Sequence, residues 1–470
     1  MIPARFIRIL FLIVIGMTCG CSNNSTVTIH SWFTSADQTF LFSKQNQLIN
    51  IDDSRDPIHI EIDTSKTKQT IEGFGYTLTE ASAYLIRRLS PDKKQELLLN
   101  LFDSSSNSVG INYLRIGIGA TDLSKSVYSY DDLPMHSLDT SLSKFNFSVD
   151  SVDLIPLIQE ILSVNPDLKI IATPWSAPPW MKNNKSSIGG KLALQHYPTY
   201  ARYIAYYIQK MKSLGISIEA ITPQNEPLND HNNPSMIMTA QEQLDFIKYH
   251  LGPEFRKQGI RTKIIIYDHN CDLPDYPLTI LKDTLASQYI DGSAFHLYNG
   301  DIGAMTKVHD QFPDKNIYFT EQWTGAKGDF GGDLLWHMKN VVIGSLQNWS
   351  KTIFEWNMAN DTAYAYHTDG GCHECKGAFT IGTDYKQNVA YFVLAHVSKF
   401  VPRGSKVLVT NSPTSIPHAI IITPENKMVL IVINEHDAEL KFSFQMGDKT
   451  GHAKIKSKGV ATFVWSNKLE

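Results

Sequence analysis

At 470 residues the chain has room for about three average domains of roughly 150 residues each, though large barrels break that rule. A net charge of −4, with 42% apolar and 19% charged residues, describes an ordinary soluble globular protein. It excludes a basic stripe for nucleic acid and an acidic tail.

The first 21 residues, "MIPARFIRILFLIVIGMTCGC", stand apart from the fold. Arg5 and Arg8 precede an apolar run from Ile9 to Met17, which is far short of the ~20 residues that span a bilayer. The segment reads as an export signal. Cys21, followed by the polar "SNNST", resembles the lipidated first residue of a bacterial lipoprotein. The expected location is periplasmic or on the outer membrane, otherwise secreted, with membrane contact only through a lipid anchor on Cys21. Beyond the signal only Cys271, Cys372 and Cys375 remain, so no disulfide framework supports the chain. Cys372 and Cys375 in "GGCHECKG" make a poor zinc site, because structural zinc wants four ligands. A local disulfide in an oxidising compartment fits the pair better.

From about residue 66 short apolar runs alternate with amphipathic segments. The runs are "TIEGFGYTLTE", "YLRIGIGA", "LKIIATPWS", "IEAITPQNE", "TKIIIYDHN", "GSAFHLYNG", "NIYFTEQWTG" and "TIFEWNMAND". Helical patterns such as "SPDKKQELLLNLF" and "YPTYARYIAYYIQKMKSLG" separate them. Ser90 before Pro91 is a helix start, and Gly215 is a helix stop. After the eighth run comes "NVAYFVLAHVSKF", the eighth helix. Eight strand-helix repeats predict an α/β fold, a (β/α)8 TIM barrel over residues 66–403. Residues 404–470 change character to short strands, "KVLVT", "HAIIIT", "MVLIVIN", "LKFSF", "KIKSK" and "VATFVW", which predict a side β-sandwich. Residues 22–65 read as a polar segment that ends in one further strand of that domain, "IHIEID".

Active sites of such barrels lie at the C-terminal strand ends. Here those ends carry Glu80, Arg115, Trp175, Asn225 with Glu226, Asp268, His296 with Tyr298, Glu321 with Trp323, and Trp356. Strands four and seven stand on facing walls, so Glu226 and Glu321 can point across one cleft. Either could instead form a structural ion pair with Arg115. Two carboxylates among amides and aromatics suit glycoside hydrolysis, which needs a proton donor for the leaving oxygen and a second carboxylate at the anomeric carbon. Aromatic side chains around such a cleft can stack on sugar rings.

The motifs "TPQNEPL" and "YFTEQWTG", with "EGFGYTLTEAS", "LRIGIGATDLS", "TPWSAPPWMK" and "AHVSKFVPRGS", resemble glycoside hydrolase family 30, in particular its glucosylceramidase and endo-β-1,6-glucanase members. The resemblance runs from about residue 66 to the chain end. It implies a retaining β-glycosidase with Glu226 as acid/base and Glu321 as nucleophile, and no metal or other cofactor. It further implies that Asn225 meets the sugar's 2-hydroxyl, that Trp175 and Trp356 wall the sugar subsite, and that Tyr298 and Arg115 stand by the nucleophile. His296, Trp323 and Asp268 would lie at the rim or just behind it. Glu80 stands where lysosomal relatives carry an aspartate for the outer hydroxyls. Arg115 is then expected to lower the pKa of Glu321, and the charge of Glu321 to keep Glu226 protonated. The expected partner is β-1,6-glucan, with β-glucosylceramide as the alternative. Two competing readings are a non-catalytic glycan-binding lipoprotein and a metal hydrolase using Asp268, His269 and His296.

Overall fold

The computed structural model describes residues 25–103, 108–411 and 416–467, so the expected signal and Cys21 lie outside the described residues. Eight parallel strands close a barrel in chain order. They are β1 Gly73–Thr77, β2 Tyr113–Gly117, β3 Lys169–Thr173, β4 Ala220–Ile221, β5 Lys263–Cys271, β6 Ile290–Gly300, β7 Asn316–Glu321 and β8 Ser350–Asn357. Tyr113, Ile171, Ile265, Ala294, Tyr318 and Phe354 fill the interior. Alternate residues such as Ile170, Ile264 and Ile266 pack outward under the helices. Burial on both faces is why these strands read as near-continuous apolar runs.

The helix boundaries follow local chemistry. The Ser90 side chain accepts from the Lys93 N–H and caps Pro91–Phe102. The helix Tyr197–Ser213 stops where Gly215 takes a φ of +80°.

The second domain is a β-sandwich whose ten strands form one continuous order drawn from both chain ends. The N-terminal contribution is larger than the single expected strand. Ser25–Ser35 and Ser43–Asp52 form an antiparallel hairpin between Gly459–Ser466 and Lys449–Ile455, and His59–Ile60 and Ile62–Thr70 also join. The apolar signal there is diluted, because Ile29, Phe33, Ile49 and Ile51 reach the sandwich core among Ser, Thr, Asn and Gln. "KIKSK" is likewise displaced: the strand is Lys449–Ile455.

Strand Lys427–Asn434 joins the domains. Met428, Leu430 and Val432 enter the sandwich core, while Val429, Ile431 and Ile433 enter the barrel core. The wholly buried helix Val389–Ser398 lies between β1 and strand Gly459–Ser466. Its His396 is held between Thr462 and Thr34 at 2.9 and 2.8 Å.

Candidate active site

The strand ends converge on a cleft of about 430 Å³. Trp175, Asn225, Glu226, Tyr298, Glu321, Trp323 and Trp356 all line it, so seven of the eleven residues named at the strand ends are brought together. Oxygens of Glu226 and Glu321 and a ring nitrogen of His296 lie within 4.8 Å of one another.

Local backbone irregularities aim these groups. β4 is only two residues long, and Glu226 follows it with a φ of +42°, a region costly for a residue with a side chain. Its N–H donates to the Asp268 carbonyl at 2.9 Å. Tyr267 and Asp268 also have positive φ, and the β5–β6 register skips Asp268 between Ala294↔Tyr267 and Phe295↔His269. A second register break between β6 and β7 pairs His296 with Glu321. Bulges re-aim single side chains beside active sites, and here they turn Asp268 and Glu321 inward.

Arg115, fully buried under the cleft floor, ties the pieces together. One guanidinium nitrogen donates to Glu321 Oε2, and the other to Asn225 Oδ1 at 2.6 Å and Asp268 Oδ2 at 3.0 Å. Because the Asn225 oxygen is taken, its amide N–H groups are left as donors for the cleft. Asp268 also accepts from Thr222 and Thr320, each at 2.7 Å. The Tyr298 hydroxyl donates to Glu321 Oε1 at 2.8 Å. Trp175 and Trp356 stand 5.4 Å apart, with the guanidinium 4.9 Å from the Trp175 ring.

The places of Arg115, His296 and Glu80 are set by this arrangement. Arg115 and His296 have no exposed surface and act through Glu226, Glu321, Asn225 and Asp268 rather than by touching a ligand. Glu80 does not line the cleft. It starts the helix Glu80–Arg87, and its carboxylate is held by the backbone N–H of Lys125 at 2.9 Å and by Lys125 Nζ at 3.0 Å. The acidic group on that side of the cleft is Asp122, whose Oδ1 is buried without a hydrogen-bond partner. Asn229 carries no signal in the sequence, and His269, named there only as a metal ligand, stands beside the acid/base instead. Asn229 donates to Glu226 Oε2 at 2.7 Å, and His269 Nδ1 lies 4.0 Å from Glu226 Oε1.

The proton distribution also differs from the expected one. Burial opposes a charge on His296, but Glu321, Asp268 and Glu226 outweigh it and push its pKa up to about 9. Burial would raise the Glu226 carboxyl, but His296, His269 and Asn229 together hold it down to about 2. Burial raises Glu321 against the pull of His296 and Arg115. The resting proton therefore sits on the imidazolium, 3.3 Å from Glu226 Oε1 and 3.1 Å from Asp268 Oδ1. Glu226, His296 and Glu321 could in principle ligate an ion. However, Arg115 and the imidazolium already meet the carboxylates with positive charge, which makes this donor set a poor fit for a cation.

Replacing Arg115 by Met would leave Asp268 and Glu321 buried without the guanidinium, with the His296 imidazolium alone to balance them. Breaking a buried pair in this way costs about 3–5 kcal/mol, so thermal unfolding of Arg115→Met should show a clearly lowered Tm. A Tm equal to that of the parent would contradict this account of the cleft floor.

Comparison with known proteins places these features. The profile of the glycosyl hydrolase family 30 TIM-barrel domain matches residues 71–401, and that of the family's beta sandwich domain matches residues 404–463. An endo-1,6-beta-D-glucanase of Aspergillus fumigatus is 33% identical over 432 residues, 85% of this chain and 86% of its own. The lysosomal acid glucosylceramidase of Mus musculus is 26% identical, over 86% of this chain and 83% of its own. A solved endo-beta1,6-glucanase superposes with a TM-score of 0.87 at 29% identity, over 94% of this chain and all of that one.

Proposed function

The chain belongs to glycosyl hydrolase family 30, and from that premise we propose that it hydrolyses β-1,6-linked glucan with retention of anomeric configuration. The observation that carries this reading is the approach of Glu226 and Glu321 to within 4.8 Å across the cleft. That spacing suits the ~5–5.5 Å of retaining enzymes and leaves no room for the water an inverting enzyme needs.

In the first step Glu321 attacks the anomeric carbon, and Glu226 gives a proton to the departing glycosidic oxygen. That proton comes from His296: transfer from Nδ1 to Glu226 leaves a neutral imidazole whose Nε2–H still faces Asp268. In the second step Glu226 takes a proton from water, which opens the glycosyl ester, and Glu321 is released as a carboxylate. Asn225 donates to the 2-hydroxyl, Trp175 and Trp356 together form one wall beside the ring, and Asp122 accepts from an outer hydroxyl.

The similarity to two glucanases supports the substrate. The mouse relative keeps β-glucosylceramide as the second reading. The Cys372–Cys375 disulfide supports export to an oxidising compartment, with lipidation at Cys21 as the accompanying proposal.

Protein lacking residues 1–21, offered β-1,6-glucan and β-glucosylceramide in parallel, should release gluco-oligosaccharides or glucose from the first and no ceramide from the second. Ceramide release without glucan cleavage would overturn the substrate assignment.

A further inference from the structure

The Cys372–Cys375 disulfide closes a four-residue turn inside the wall of the cleft. Cys375 is buried with Leu123, Trp175 and Trp356, and Cys372 and Trp323 pack against that group. The segment around the disulfide is tied to the loops that follow β7, β4 and β2. On the β7 side, Thr324 and Gly325 pair with Lys376 and Cys375, the Ala326 N–H donates to the Glu374 carbonyl at 2.8 Å, and Lys327 Nζ meets Glu374 at 2.5 Å. These contacts begin three residues after Glu321.

On the β4 side, the Thr368 hydroxyl donates to the Asn233 carbonyl, and Asn233 Nδ2 donates to the Asp369 carbonyl at 2.9 Å. On the β2 side, the Thr368 N–H and hydroxyl reach the Asp122 carbonyl at 3.0 and 3.2 Å. A Cβ on Gly371 would lie 2.3 Å from that same carbonyl, so only glycine allows so close an approach. The backbone N–H of Cys372 then faces the Asp122 carboxylate.

We propose that the Cys372–Cys375 disulfide is a positioning element for substrate binding, which fixes Asp122 and the Trp323–Trp356 wall relative to the nucleophile. The proposal rests on the glycosidase reading of the cleft. A ring of so few residues constrains little of the unfolded chain, so its effect is local rather than on global stability.

The test is a double-mutant cycle between Cys372→Ser/Cys375→Ser and Asp122→Asn, read as kcat/KM on β-1,6-glucan and as acrylamide quenching of tryptophan fluorescence. Loss of the disulfide should lower kcat/KM by about 10-fold in the parent and by about 2-fold or less in the Asp122→Asn background, because both changes remove one interaction. Quenching should rise as Trp175 and Trp356 lose their cover, while Tm changes little. Losses that multiply, or unchanged kcat/KM with unchanged quenching, would overturn the proposal. If the parent fails to cleave glucan but quenching still rises in the serine variant, the substrate reading falls and the clamp stands. If quenching does not rise in that case, both fall.

Discussion

Glu321→Gln should lower kcat/KM on β-1,6-glucan by on the order of 10⁴-fold or more, because the amide cannot form the glycosyl ester through which both steps run. A 10⁴-fold loss corresponds to about 5.5 kcal/mol of transition-state stabilisation. The substitution is nearly isosteric: the amide oxygen can take the place of Oε2 and accept from Arg115, and the amide N–H can donate to the Tyr298 hydroxyl, so the fold should survive. A smaller nucleophile can fill the space of a missing carboxylate. Glu321→Gly with sodium azide and an activated aryl β-glucoside should therefore give the α-glucosyl azide, formed by one inversion. Activity that survives Glu321→Gln would assign the attack to another group.

Glu226→Gln should cost about 10²–10⁴-fold on glucan, the range of general acid–base catalysis. The loss depends on the leaving group. A dinitrophenolate departs without a proton, so kcat/KM on 2,4-dinitrophenyl β-glucoside should stay within about 10-fold of the parent. Its kcat should fall, because the second step still needs a base. The parent should also show an alkaline limb in kcat/KM. The raised pKa of His296 means that the shared proton is held at neutral pH and lost as pH rises through about 9. Glu226→Gln should remove that limb, since no proton passes through Gln. An equal loss on both substrates would contradict the acid/base role.

Much of this architecture was legible in the sequence because it rests on short-range signals. Two-sided burial gave eight apolar runs, and Ser90 and Gly215 marked helix ends by their own chemistry. The pairing of Glu226 with Glu321 followed from strand count, since residues ending strands four and seven must face one another. Other features depend on contacts that no local pattern encodes. The N-terminal hairpin is specified by its neighbours Gly459–Ser466 and Lys449–Ile455, which lie at the other end of the chain. The bulges that turn Asp268 and Glu321 inward are likewise invisible in an apolar run.

The misplacement of Glu80 has the same origin. Glu80 and Asp122 both follow barrel strands, and only the tertiary path shows that Lys125 takes up the first while the second is left facing the cleft. The proton location failed for a different reason. Part of the network was expected, with Arg115 beside Glu321, but the imidazoles of His296 and His269 beside Glu226 reverse the simple two-carboxylate argument.

The most direct measurement is proton NMR of the anomeric signals during the first minutes of β-1,6-glucan hydrolysis, before mutarotation. The account predicts that the newly formed reducing ends appear first as the β-anomer, with the α-anomer growing in later. Initial appearance of the α-anomer would contradict double displacement through Glu226 and Glu321.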